Sequence, residues 1–89
     1  MAVANEVMGV EYFPNPVDKV MTVRFDMEAE GRAQVNLYSL DGQEVARLFE
    51  GTLDAGRQEL QHHLDAPAGT YVMVIRANGK QTAVAVLKQ

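Results

Sequence analysis

The chain has 89 residues, no cysteine or tryptophan, and a formal net charge of −4 from 12 acidic against 8 basic side chains. That length holds one domain with a single core, and without cysteine the core has neither disulfide staples nor thiolate-bound metal to hold it. Basic side chains never cluster and no apolar run approaches the roughly 18 residues of a membrane span, so neither nucleic-acid binding nor a membrane-spanning segment is expected.

Residues 1–6 read as a linker remnant and 7–89 as one domain. The start, MAVANEV, has neither a basic region nor an apolar stretch of signal-peptide length, so an exported chain would carry its signal on a larger precursor. An opening strand is expected around Val7 to Tyr12. In the following YFPNPV, each proline fixes its own φ and restricts the residue before it, which makes Pro14, Asn15 and Pro16 a rigid opening turn that aims the chain.

Met21, Val23, Phe25 and Met27 alternate with Thr22, Arg24, Asp26 and Glu28, the period of a half-buried strand. After Ala29-Glu30-Gly31 the alternation resumes, with Ala33, Val35 and Leu37 facing one way and Gln34, Asn36 and Tyr38 the other. Asp41-Gly42 then signals a hairpin. Val45, Leu48 and Phe49 fall at helical spacing. The segment 44–50 nevertheless lies between glycines and between strands, too short for a stable isolated helix, so a strand is expected there. Gly51, Asp54 and Gly56 mark the next turn, and Leu60, His62 and Leu64 share one side of the strand after it. Thr70 to Ala77 is apolar on both faces, as in a strand at the middle of a sheet. Asn78-Gly79 predicts a tight hairpin into a last strand over 81–88. About seven antiparallel strands, with turns roughly every ten residues, predict an all-β, immunoglobulin-like β-sandwich.

Little in this pattern points to catalysis. His62 and His63 are neighbours in a strand, so their imidazoles point to opposite faces, and no third ligand stands at zinc spacing. Asp26, Glu28 and Glu30 could gather oxygens for a cation near a strand end, though no calcium-loop pattern accompanies them. Ser39 is the only serine and lacks a nucleophile-elbow context. The glycines are spaced as turn residues. No enzyme activity, catalytic residue, cofactor or metal is expected. Val72 and Val74 leave apolar surface on the second face of their strand, open either to shielding by neighbours or to docking. The last strand, with Ala83, Val84, Ala85, Val86 and Leu87, could pair at its edge with a partner or form a homodimer with a second copy.

Four phrases in order carry a resemblance: YFPNPV, VNLYSLDGQEV, LDAGRQEL and APAGTYVMVIRANGKQTAVAVLK. From Tyr12 to the end, the chain resembles the C-terminal sorting domains of cargo for the type IX, or Por, secretion system of Gram-negative bacteria. It departs at Ser39, where the family usually has Asp, at Gln43, where Arg is common, and at His62-His63, where an aromatic and an Asp are frequent. The resemblance implies a folded secretion signal that passes through the periplasm on its way to the cell surface or medium. Its partners would be the outer-membrane translocon and a sortase-like protease, which would cut around Met1 to Glu6. The residues such a translocon would read are placed at Pro67, Gly69 and Tyr71 and at Thr82, Val84, Val86 and Lys88. The alternative is a generic immunoglobulin-like accessory module binding protein or carbohydrate, although exposed aromatics for a sugar platform are few.

Overall fold

The structure, a computed structural model, describes residues 3–5 and 7–89. Its strands are β1 (Val3–Asn5), β2 (Val10–Phe13), β3 (Val20–Met27), β4 (Gly31–Ser39), β5 (Glu44–Leu53), β6 (Gly56–His63), β7 (Gly69–Ala77) and β8 (Lys80–Lys88). They form two four-stranded sheets, in the orders β1-β2-β3-β6 and β5-β4-β7-β8, and every strand pair is antiparallel. The chain crosses between sheets after β3, β5 and β6, the sandwich connectivity expected, with the three-residue β1 added at one edge.

The alternating patterns become the core directly. Met21, Val23, Phe25 and Met27 of β3 face Val35 and Leu37 of β4, Met73 and Ile75 of β7, and Val84 and Val86 of β8 in one buried cluster. Tyr71 adds a corner clamp: at the start of β7 its hydroxyl donates to the Pro67 carbonyl at 2.5 Å, closing the turn that brings the chain from β6 into β7. Asn78 (φ 52°) and Gly79 (φ 72°) make the left-handed two-residue turn that the Asn-Gly pair predicts between β7 and β8.

The N-terminal region differs from expectation. Of the stretch read as linker, Met1, Ala2 and Glu6 lie outside the described residues, while Val3–Asn5 pairs with Val10–Phe13. The opening strand expected over Val7–Tyr12 begins only at Val10, because Val7–Gly9 is a 3-10 turn with Met8 and Gly9 at φ 59° and 55°. That left-handed pair reverses the chain between β1 and β2.

The helical spacing of Val45, Leu48 and Phe49 also has a structural cause. The register of β5 on β4 slips twice, between Val35 and Asn36 and between Leu37 and Tyr38. Leu48 and Val45 are the residues passed over, so bulges, not a helix, break the period of two. Gly51, expected to begin the next turn, instead lies within β5 opposite Ala33, and the turn narrows to Asp54 and Ala55. Asn36, expected on the solvent face, is fully buried there beside the first bulge. Its Nδ2 donates to Glu44 Oε1, and its Oδ1 has no hydrogen-bond partner. Val74, opposite Asn36 on the same outer face, is only 8% exposed, so this part of β7 is shielded by its neighbours.

Candidate functional site

The two separate stretches singled out in the sequence, the opening turn and the end of the last strand, meet in space. Beyond Pro14-Asn15-Pro16 the chain reaches Val17, which forms a parallel bridge with Lys88. Val17 N–H donates to the Leu87 carbonyl at 2.8 Å, and Gln89 N–H donates to the Val17 carbonyl at 2.7 Å. Both X-Pro bonds of the turn are cis. Val17 is itself fully buried, so the same residue seals the sandwich and pairs with the edge of β8. Tyr12, 2% exposed, stands behind the turn with its hydroxyl donating to Asn15 Oδ1 at 3.3 Å. Burial pushes its phenol above the usual value, partly offset by the nearby Leu87 backbone.

The Pro67–Tyr71 turn joins the same end of the molecule, since Gly69 is opposite Lys88 and Tyr71 opposite Val86 in the β7–β8 ladder. Pro67, Gly69, Tyr71, Val86 and Lys88 are therefore brought together with Pro14, Asn15 and Pro16, whereas Thr82 and Val84 lie further along β8, opposite Ile75 and Met73. Thr82 (7% exposed), Val84 (6%) and Val86 (0%) point into the core. Their side chains are not on offer to a partner of the folded domain. The outward positions of the same strand are Ala83, Ala85 and Leu87, with Lys88 half-buried at its end and its ammonium on the Gln89 carbonyl at 2.9 Å.

The residues weighed for chemistry do not converge on one site among the described residues. Asp26 pairs with Arg57 (Nη1 to Oδ1, 3.0 Å) and Glu28 with Lys80, so these carboxylates are drawn to cations on two different strands. Among the described residues no three His, Asp or Glu side chains gather as a metal site would need. His62 is half-buried and His63 exposed, opposite Met21 and Val20, as alternation along a strand requires. Ser39 bonds to Asp41 and to the Gln43 carbonyl within its own turn.

One constellation was not legible beforehand. Arg57 Nη1 donates to the Gly9 carbonyl at 2.8 Å as well as to Asp26, and Nη2 to Glu11 Oε1 at 2.9 Å. The hydrogen bond to Asp26, helped by the charges of Asp26 and Glu11, raises the guanidinium's already high pKa. This latch ties the turn before β2 to β3 and β6. A Cβ on Gly9 would lie 2.5 Å from Asp26 Oδ2 and 3.0 Å from Arg57 Nη1, so the latch needs glycine for space as well as for its φ. Gly9 and Arg57 stand 48 residues apart, and no local pattern links them.

The assembled features form a shaped corner built from three distant segments of chain. No curated protein matches the chain. Comparison with protein families matches residues 11–89 to the secretion system C-terminal sorting domain, the type IX sorting domain. The match takes in both the opening turn and the last strand, and the chain belongs to that family.

Proposed function

We propose that this domain is read in its folded state by the outer-membrane type IX translocon, and that a sortase-like protease then removes it during surface attachment of the cargo. The observation carrying the reading is the corner where Val17 joins Leu87 and Gln89: the family match covers both segments, and only folding brings them together. The translocon would read the exposed rim of that corner, namely Pro67, the Gly69 backbone, Lys88 and the outward Ala85 and Leu87. Thr82, Val84 and Val86 act by holding the strand in place. Cleavage would fall in residues 1–6. A protease must draw its substrate out as an extended strand, and the three-residue β1 is far easier to peel than the sandwich beyond the Arg57 latch.

The test places a signal peptide and a periplasm-folding fluorescent protein ahead of residues 1–89, in strains with and without the translocon. Translocon-dependent fluorescence at the surface or in the medium, with the domain cut within residues 1–6, is expected. Periplasmic retention of a folded fusion in both strains would overturn the reading and favour an accessory binding module. Lys88→Glu should lower export while leaving the melting temperature nearly unchanged, since Lys88 makes no ion pair among the described residues.

A further inference from the structure

Sheet edges attract other strands, and three of the four edges here are defended. β5 carries two register slips with Glu44, Arg47 and Glu50 along it, β6 carries Arg57 and Glu59, and β1 has three residues. The edge of β8 differs. Its register on β7 runs unbroken over nine pairs, and from Gln81 to Leu87 it holds no charge, no proline and no bulge. Because Leu87 and Gln89 turn backbone groups toward Val17, the alternation of an antiparallel ladder turns those of Gln81, Ala83 and Ala85 to the same free side. Val17 closes only the far end, leaving residues 81–85 open.

Next to that open segment lies a cleft of about 420 Å³ at the Asn78–Gly79 end of the sheet. One row crosses the sheet there, Glu50–Gln34–Arg76–Gln81, with Arg32 and Lys80 beside it. Both oxygens of Glu50 are taken, by Arg32 at 3.2 Å and Arg47 at 2.9 Å, and Lys80 is paired with Glu28. Arg76, half-buried at the centre of the row, donates Nε to Gln81 at 3.0 Å and has no carboxylate partner among the described residues. A locally cationic cleft thus sits on a chain of net charge −4.

We propose that residues 81–85 of β8 take up an extended strand of a partner protein, apolar along its length and bearing a carboxylate where it passes the Arg76 row. Such an addition continues the row by one position. Two strand spacings, roughly 10 Å, then separate the partner's backbone from that of Arg76, within the combined reach of an arginine and a glutamate. Charge decides against a second copy as the occupant. An antiparallel pairing of two β8 edges over 81–85 centres on Ala83 and sets Ala85 against Gln81, which leaves Arg76 without an anion. The inference stands on the edge and the cleft alone and does not depend on the export reading.

The test titrates the ¹⁵N-labelled 89-residue chain with capped heptapeptides of alternating valine and threonine. They carry glutamate at the first or the last position, or glutamine in its place. Expected are amide shifts at Gln81, Ala83 and Ala85 and at least tenfold tighter binding of one glutamate peptide than of its glutamine counterpart. In Arg76→Gln that ratio should fall to within twofold. The favoured glutamate position reports strand direction, the last position for antiparallel addition. No shift of the edge amides at millimolar peptide, or equal binding of the glutamate and glutamine peptides, would overturn the proposal. So would peptide-free, concentration-dependent shifts of the same amides, which would assign the edge to a second copy.

Discussion

Val86→Ala separates what the last strand does for stability from what it does for recognition. Val86 is fully buried opposite Tyr71, and the change removes the equivalent of two methylenes. At about 0.8 kcal/mol for each, plus the cavity left behind, the cost is about 2 to 3 kcal/mol. Against a total stability of roughly 5 to 15 kcal/mol the domain stays folded, and at about 4 to 8 °C per kcal/mol its melting temperature drops by about 10 to 20 °C. Ala85→Ser, one residue away on the exposed side, should stay within about 0.5 kcal/mol of the parent. Thermal unfolding by circular dichroism, with urea midpoints at constant m, measures both. A drop under about 4 °C for Val86→Ala, or one as large for Ala85→Ser, would refute the assignment of the two faces of β8. Export of Val86→Ala at a temperature where it is folded should match the parent, because a buried side chain can be read only through the shape it maintains.

Gly9→Ala should destabilise by about 1 to 2 kcal/mol, from the left-handed backbone and the displaced latch. Repeating it in an Asp26→Ala background should leave only the backbone part, measured by the same urea midpoints. Tyr71→Phe removes the hydroxyl that holds the Pro67 carbonyl and should cost about 1 kcal/mol, seen as a fall of about 4 to 8 °C in melting temperature. Tyr12 has a phenol raised above 10.0 by burial, so its contribution is complete below pH 10 and is lost as the pH rises through its folded value. Urea unfolding from pH 9 to 11 should show a steeper loss of stability in the parent than in Tyr12→Phe, and parallel curves would dispose of this assignment.

Much of the fold was legible because burial imposes a period of two on a strand with one wet face. Met21 to Met27 shows that period without interruption, and Asn78-Gly79 announces its turn through a dipeptide that readily accepts left-handed backbone twice. β5 was harder to read, since two bulges slip its register and produce a helix-like spacing that only its neighbours contradict. Asn36 obeyed the outward half of the alternation and was buried all the same, because the centre of a sheet's outer face can be covered by adjacent strands. The corner was half legible. YFPNPV and the last strand each carried a signal, but Val17 read simply as the approach to β3, and nothing local reveals that it pairs with residues some 70 positions away. The Arg57 latch left no trace in the sequence, since ion pairs between distant strands have no spacing rule.

These distances in sequence bear on what kind of signal the domain carries. A signal read from extended chain would need its residues within one short segment, exposed and contiguous. Here the corner joins residues 14–17, 67–71 and 85–89, and the inward side chains of the last strand are hidden for as long as the fold persists. Unfolding would scatter the first group and expose the second. The export machinery would therefore distinguish a completed domain from an unfolded one through backbone geometry at a single corner. On this account, substitutions that soften the corner lower export in proportion to the folded fraction, whereas substitutions on its exposed rim lower it without changing that fraction.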